Sequence, residues 1–204
     1  KMGLISNGTT IFDAGAMASG FGGSLTLIKR SVASSAGSLS FMNGSNNVVF
    51  DSTYKEYIIT ITNWNPATDD KNGEFSFSTN GSNFGVAKTS AYFRATHDEA
   101  DTDTGLQYRT AQDLAQSTGN QILCEQMGSG SDENSCAILH IYNPGSTTFV
   151  KHFMGQASTM THNNQCLQDR VAGYINTTSA VVGIKFECES AASFDGIFTL
   201  YGVS

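Results

Sequence analysis

Residues 97–103 hold the densest group of side-chain carboxylates in the chain. Carboxylate oxygens are the hard ligands that Ca²⁺ prefers, and their spacing here resembles part of an Asp-rich calcium loop. The later Glu of such a loop is missing. We therefore take Asp98, Asp101 and Asp103 as candidate calcium ligands. The alternative, which we favour, is a solvated acidic loop that binds no metal.

Four cysteines lie in the second half of the chain, at positions 124, 136, 166 and 188. None forms a C-x-x-C pair, so the spacing does not indicate a zinc site. Cys124 and Cys136 flank a turn-rich stretch at residues 128–134. If that stretch closes a hairpin, the two residues face each other and a disulfide is geometrically feasible. The interpretation we favour instead is two buried thiols that fill small spaces in the core.

Hydrolytic chemistry would need two carboxylates in one cleft, or a nucleophile with its base. Glu125, Glu133 and Asp169 are candidates for a glycan-hydrolysing pair. No G-x-S-x-G elbow and no phosphate-binding glycine motif occurs. Among the four histidines, His140 and His152 lie on neighbouring predicted strands, but two histidines are too few for a metal site. We predict no catalytic residue, no cofactor and no enzymatic activity.

Composition narrows the range of partners. Eleven basic and 18 acidic residues give a net charge of −7, and only 14% of residues are charged. Nucleic-acid binding requires a concentrated basic surface, which this pattern does not provide. No run of 18 apolar residues and no secretion signal is found, so we expect no membrane span. A polar, uncharged surface of this kind is common in extracellular and particle-forming β proteins.

The elements that would position these residues are strands. Tyr57, Ile59 and Ile61 alternate with Ile58 and Thr60, which favours a strand over a helix. Turn-forming residues follow at 65–73, and a second alternating run occupies 74–78. We predict a long central strand, a loop and a return strand that form a two-strand ribbon, with the other strands packed onto it.

The rest of the chain continues this pattern in short alternating runs separated by turns. Residues 106–117 fit either a short helix or an ordered loop, and residues 156–169 are predicted to be a long polar loop. About ten strands with little helix indicate an all-β, antiparallel β-sandwich, which we expect to be jelly-roll-like. The sandwich domain spans residues 25–204. Residues 1–24, with six glycines, are predicted to form an N-terminal arm for docking or oligomer contacts; the alternative is a peripheral strand or two of the same domain.

Several stretches carry a recognisable likeness. They are DSTYKEYIITITNWNPATDD, FRATHDEADTDTGLQYRTAQDLAQSTGNQ, HIYNPGSTTFVKHF, AGYINTTSAVVGIKF and the terminal DGIFTLYGVS. Together with the opening LISNGTTIFDAGAM, they resemble a family of small structural proteins of marine bacteriophages. The likeness covers roughly residues 25–204.

The resemblance implies a protein located in the virion, either a head decoration or fibre protein or a tail-fibre module. It carries over no catalytic residue. The implied partners are other virion proteins and further copies of the chain, for which we predict a trimer because fibres and decorations often have cyclic symmetry. Recognition of a host surface glycan, by loops such as residues 156–169, is the alternative function, and glycan hydrolysis is a third.

Overall fold

The protein is an antiparallel β-sandwich in the computed structural model, which describes residues 4–6, 9–13, 16–17 and 24–204. All strands that pair do so in antiparallel fashion, and the helix within these residues is one 3-10 turn, Glu189–Ala191. The prediction of an all-β antiparallel sandwich is therefore confirmed.

The strands have the following bounds, in chain order: Leu4–Ser6 (β1), Thr9–Asp13 (β2), Ala16–Met17 (β3), Leu25–Ala36 (β4), Leu39–Met42 (β5), Glu56–Pro66 (β6), Lys71–Ser78 (β7), Lys88–Asp98 (β8), Thr104–Tyr108 (β9), Leu114–Ser117 (β10), Gln121–Met127 (β11), Ser135–Tyr142 (β12), Lys151–Met160 (β13), Gln165–Ile175 (β14), Gly183–Cys188 (β15) and Phe194–Val203 (β16).

A large sheet forms one layer of the sandwich. Its strands lie in the order β10-β8-β14-β13-β12-β6-β16-β4, and β9 pairs with β8 beside β10. The predicted central strand, β6, lies between β12 and β16. The smaller sheet has the order β11-β7-β15-β5 and covers the inner face of the large sheet, with β11 packed against β13 and β14. Strands β8, β9 and β10 extend the large sheet past β11.

A bulge in β6 explains how this strand buries side chains in the core both before and after Asn63. Tyr57, Ile59 and Ile61 point inward by simple alternation and are buried. Asn63 then takes a left-handed conformation (φ 54°), and the pairing with both neighbouring strands shifts register near it. One extra residue at a bulge reverses the alternation. Trp64 therefore points inward as well, and its side chain is fully buried.

Aromatic side chains fill the space between the sheets. The Trp64 ring lies 5.3 Å from the ring centroid of Phe198, 5.8 Å from that of Phe194 and 6.1 Å from that of Phe186, in tilted or edge-on arrangements. Such pairs contribute roughly 0.5–1.5 kcal/mol beyond the burial of their area. These aromatic contacts therefore pack β6, β15 and β16 tightly against one another.

Gly73 makes room for the Trp64 ring. A Cβ atom at this position would lie 2.9 Å from Cη2 and Cζ3 of Trp64, closer than such contacts occur. We expect Gly73→Ala to lower the free energy of unfolding by about 1–3 kcal/mol, the usual effect of overpacking, measured by urea denaturation. Gly37→Ala is the matched control, because a Cβ there meets nothing within 4 Å. Equal stability of the two variants would contradict this packing account.

Two predicted hairpins are wrong. The predicted ribbon at 54–80 does not form, because β6 belongs to the large sheet and β7 to the small one. Likewise β11 pairs with β7, whereas β12 pairs with β6 and β13. In both places the connecting turn carries the chain from one sheet to the other.

Two segments expected to be loops are also strands. Residues 156–169, predicted as a polar loop, form most of the β13–β14 hairpin, which pairs continuously from Lys151↔Ile175 to Met160↔Cys166. Residues 106–117 end β9, make a turn and form β10, so neither a helix nor a long loop is present there. The alternating Gln and Ser residues of β13 and β14 lie on the outer face of the sheet, which explains their polarity.

The predicted arm falls largely outside the described residues. In its described parts, β1 pairs with β2 and β2 with β3, as a separate three-stranded sheet. The docking role of residues 1–24 stays a prediction. Among the described residues, we find no helix with the length and apolar character needed to cross a membrane.

Candidate functional site

Two of the three candidate carboxylates come together in the interior. Glu125 lies on β11 and Asp169 on β14, and the Glu125 backbone N–H donates a hydrogen bond to Asp169 Oδ2 at 2.9 Å. Glu133 is elsewhere, where its carboxylate accepts a hydrogen bond from Gly130 N–H at 2.7 Å and closes a turn. The structure therefore brings two of the three candidates together, but in the buried interior.

Two arginines hold Glu125 from the side of the large sheet. Arg94 Nη1 lies 3.1 Å from Glu125 Oε2, and Arg109 Nη2 lies 3.0 Å from Glu125 Oε1. Arg94 also donates to Gln126 Oε1 at 2.7 Å. Each oxygen of the buried carboxylate thus has its own guanidinium partner, the arrangement in which charge-assisted hydrogen bonds are strongest.

Strand register brings these groups to one place. Arg94 and Asp169 are direct partners across β8 and β14 on the inner face, and Tyr92 lies two residues from Arg94 on that face. On the opposite side, Gln126 adopts a left-handed conformation (φ 51°) in an irregular part of β11. That irregularity lets the consecutive residues Cys124 and Glu125 both be buried.

We call Tyr92, Arg94, Arg109, Glu125 and Asp169 the buried charge cluster. Burial, together with the negative charge of Glu125, raises the pKa of Asp169 to about 7, against the opposing effects of the Glu125 N–H and Arg94. Burial and the two acidic neighbours likewise raise the pKa of Tyr92. Within the described part of the chain, the Tyr92 hydroxyl and Asp169 Oδ1 have no hydrogen-bond partner of normal geometry.

The cluster connects layers of the sandwich. Glu125 is 1% exposed and Asp169 is 0% exposed, so neither carboxylate is presented to a polymer outside. A glycosidase pair must flank its substrate's scissile bond in an open cleft. The geometry instead ties β11 of the small sheet to β8 and to the chain after β9, in the part of the large sheet that extends past β11.

The acidic segment uses its carboxylates within its own turn. Asp98 Oδ1 accepts hydrogen bonds from the N–H groups of Thr102 (2.7 Å) and Asp103 (2.9 Å), and these and the Thr102 hydroxyl lower the pKa of Asp98 to about 2. Asp103 accepts from Gln165 Nε2, and Asp101 lies 3.4 Å from His97 Nε2. In residues with described placement, no three His, Cys, Asp or Glu side chains group as metal ligands. This geometry gives the calcium prediction no support.

The structure does not bring Cys124 and Cys136 together, as a disulfide between them would require. All four cysteines are free. Cys124 lies inside on β11 of the small sheet, whereas Cys136 is exposed on β12 of the large sheet. The two positions would face each other only if β11 and β12 formed a hairpin, and they do not. The favoured alternative of buried thiols holds for Cys124 but not for Cys136.

Thiol labelling distinguishes the two kinds of cysteine. We expect a maleimide to modify the exposed Cys136 and Cys166 in the native protein, and Cys124 and Cys188 only after unfolding. Burial raises the pKa of Cys188 to about 12 and also raises that of Cys124, so both stay thiols at neutral pH. Intact-mass spectrometry should show two adducts before denaturation and four after. Rapid native labelling at four sites, or none at Cys136, would contradict this arrangement.

The two histidines expected to be neighbours lie on one face of paired strands. His140 on β12 pairs with Met154, two residues from His152 on β13. His140 Nδ1 lies 2.6 Å from Glu56 Oε1, and its ring stacks on Tyr142. His152 packs near Tyr174 instead. Each histidine thus has its own partner.

The structure also contains buried or paired polar groups that the sequence did not predict. Glu74 and Glu187 are direct partners across β7 and β15, and Asn120 Nδ2 donates to both, at 3.0 and 2.7 Å. Lys88 is fully buried with its ammonium 3.0 Å from Val86 O, and burial lowers its pKa to about 8. Lys151 is 1% exposed and donates to the carbonyls of Thr177 and Ser179. Alternation predicted the outward position of Glu74, but no local signal indicates buried lysines.

A shallow groove crosses the outer face of the large sheet. It has a volume of about 440 Å³ and lies over β12, β13 and β14, with polar lining from Gln156, Ser158 and Gln168. A neighbouring hollow of about 190 Å³ is lined by residues that include Tyr142 and Arg170. Amide, hydroxyl and aromatic groups of this kind are able to contact a polar ligand.

Compared with protein-family models, curated proteins and solved structures, the chain has no match. Function is therefore inferred from the residues themselves and from the geometry of the sandwich, with its interior charge cluster and its broad outer face.

Proposed function

We propose that this protein is a structural component of a bacteriophage particle and that its sandwich is a jelly roll. The order of eight strands supports the jelly roll. These strands form nested pairs, β4 with β16, β5 with β15, β6 with β12 and β7 with β11. Four strands therefore run out and four return in reverse order, as in a long hairpin folded over into two sheets, which is how a jelly roll is wound. Five further strands, β8, β9, β10, β13 and β14, widen the large sheet.

The nested pairing, together with the phage-like motifs, is the observation that carries the proposal. Its functional consequence is a rigid body with a broad, weakly charged exterior. Only 14% of residues are charged, and Arg94, Arg109, Glu125 and Asp169 engage one another inside. Such a body acts by surface complementarity. Many copies on one particle add avidity, so that each contact need only be modest.

In this proposal, residues 1–24 dock the protein to the virion and residues 25–204 face outward, as a capsid decoration, head fibre or tail-fibre module. A homotrimer is the proposed assembly. No catalysis is involved. Immunogold electron microscopy of gradient-purified particles, with antibodies raised against the sandwich, tests the placement. Regular labelling of heads or tails is the expected result, and unlabelled particles beside labelled free protein would overturn the proposal.

Binding of a host surface glycan is a second candidate, favoured by the groove over the β13–β14 hairpin. Its Gln156 and Gln168 amides and the nearby Tyr142 ring suit hydrogen bonding and stacking on a sugar. A glycan array probed with the wild type and with Gln156→Ala/Gln168→Ala tests it, with Gln107→Ala on β9 as control. Selective retention that only the double variant loses would support this function. Retention of no glycan would remove it, and turnover of host polysaccharide would instead favour an enzyme.

A further inference from the structure

Three side chains of the kinds that bind soft metal ions lie next to one another on the outer face of the large sheet. Cys166 on β14 is the direct cross-strand partner of His97 on β8 and of Met160 on β13. Direct partners point to the same face, with Cβ atoms about 4.5–5.5 Å apart. An imidazole, a thiol and a thioether therefore form one row across three neighbouring strands, with the thiol in the middle. We call His97, Cys166 and Met160 the soft-ligand row.

The row is accessible from solvent. Cys166 is an exposed free thiol, and the His97 side chain is 59% exposed. Met160 and Cys166 line a common hollow of about 200 Å³ at this end of the β13–β14 hairpin. An ion therefore reaches both sulfur atoms without any opening of the sandwich.

Hydrogen bonding leaves one nitrogen of His97 for a metal. Nδ1 lies 2.8 Å from the backbone oxygen of Asp98, and a carbonyl oxygen only accepts, so Nδ1 carries the proton. In the neutral ring, Nε2 then has the free lone pair. A carbonyl that holds the other ring nitrogen is a usual support of a metal-binding histidine. The Asp101 carboxylate, 3.4 Å from Nε2, adds negative charge that favours a cation.

The ligand types select the ion. Thiolate and thioether sulfur are soft ligands that suit Cu(I), whereas a structural Zn²⁺ site takes four ligands from Cys, His and carboxylate groups. Among residues 24–204 and the few described before them, no three His, Cys, Asp or Glu side chains group together. The sulfur of Met160 is thus what completes the set. Because thioether and neutral imidazole bring no charge, one thiolate and one monovalent ion make a neutral site.

We propose that the soft-ligand row binds one Cu(I) ion, through the Cys166 thiolate, the Met160 sulfur and Nε2 of His97. The proton of the Cys166 thiol passes to solvent as the Cu–S bond forms. The bound ion ties the end of the β13–β14 hairpin to β8. The inference goes beyond a virion role and does not depend on it, because it is tested on purified protein. Its failure would leave the proposed function standing.

Cys136 is a matched thiol outside the row. It is exposed on the same face and borders the same hollow. Its direct partner on β13 is Ser158, however, and two strand spacings separate it from Cys166 by roughly 10 Å. This separation is too long for the two thiols to form a disulfide, and it keeps Cys136 from sharing the ion. Binding should therefore protect Cys166 alone.

Protection from alkylation tests the site. Purified protein is mixed under anaerobic conditions with one equivalent of Cu(I), supplied as its acetonitrile complex, and then treated briefly with a maleimide. Peptide mass spectrometry locates the adducts. We expect labelling of Cys166 to slow at least tenfold and labelling of Cys136 to stay unchanged, and one equivalent of Zn²⁺ to protect neither. An unprotected Cys166, equal protection of both thiols, or equal protection by Zn²⁺ would overturn the proposal.

Competition with bathocuproine disulfonate, a coloured Cu(I) chelator, tests each ligand. Met160→Leu and His97→Gln should each weaken Cu(I) binding about tenfold or more, and Cys166→Ser should abolish it. Met154→Leu is the control, because Met154 is 53% exposed on the same strand and face but has no thiol among its cross-strand partners. Circular dichroism confirms that the variants fold. Unchanged affinity in Met160→Leu, or equal loss in the control, would overturn the proposal.

Discussion

Glu125→Gln should lower the free energy of unfolding by about 3–5 kcal/mol, the usual cost of breaking a buried ion pair from one side. Gln keeps the size of the side chain but removes the charge. Of Arg94 and Arg109, which lie 3.0–3.1 Å from the two carboxylate oxygens, one keeps an uncharged amide oxygen as its acceptor and the other faces an NH2 donor. The Glu125 side chain is 1% exposed, so water has little access to this end of the two ion pairs.

Urea denaturation at pH 7 measures this effect. Glu99→Gln is the matched control, since Glu99 is exposed in the β8–β9 turn. A surface substitution of this kind changes stability by no more than about 0.5 kcal/mol. We expect the midpoint of Glu125→Gln to fall far below that of the control, with an unchanged denaturant slope. If the two variants unfold at the same urea concentration, the cluster does not hold the layers together.

Asp169 should make the protein more stable in mild acid than at neutral pH. Its pKa rises from an ordinary value near 4 to about 7 in the folded state because burial favours the protonated form. A raised carboxyl pKa contributes stability that is fully present below about pH 4 and is lost as the pH rises to about 7. The three-unit difference corresponds to at most about 4 kcal/mol.

Comparison with Asp169→Asn isolates this contribution. Asn mimics the protonated carboxyl, so the free energy of unfolding of the wild type minus that of the variant should fall by up to about 4 kcal/mol between pH 4 and pH 7. Asp98→Asn is the control with the opposite sign. The pKa of Asp98 is lowered to about 2, so its contribution is lost only as the pH falls below about 4. A flat difference for Asp169→Asn from pH 4 to pH 7 would show that folding does not raise the pKa of this carboxyl.

The sequence predicted which faces of strands are apolar, but not which strands pair. Alternation in Tyr57, Ile59 and Ile61 predicted that β6 is a strand, and this is correct. Alternation contains no information about the partner. The turns after β6 and β11 look like hairpin turns, yet both connect different sheets. Hence the predicted ribbon, which assumed local pairing, was wrong, and the same assumption made a Cys124–Cys136 disulfide look feasible.

The same limit applies to the charge cluster. Glu125 and Asp169 were singled out as carboxylates, but their meeting depends on contacts between strands more than 40 residues apart. Bulges add a second difficulty, because they break the period-two pattern. Gln126 and Asn63 both take left-handed conformations that reset which side chains point inward. Polar loops were overpredicted for a related reason: the exposed face of β13 and β14 is as polar as a loop.

Cryo-electron microscopy of phage particles purified from a culture that produces this protein tests the proposed virion role most directly. In that role the protein is a rigid β-sandwich that acts as an assembled surface. We therefore expect two-sheet density of this size, in regularly spaced copies, on the head or tail. A reconstruction of particles at high occupancy that lacks this density, from cells in which the protein is abundant, would contradict it.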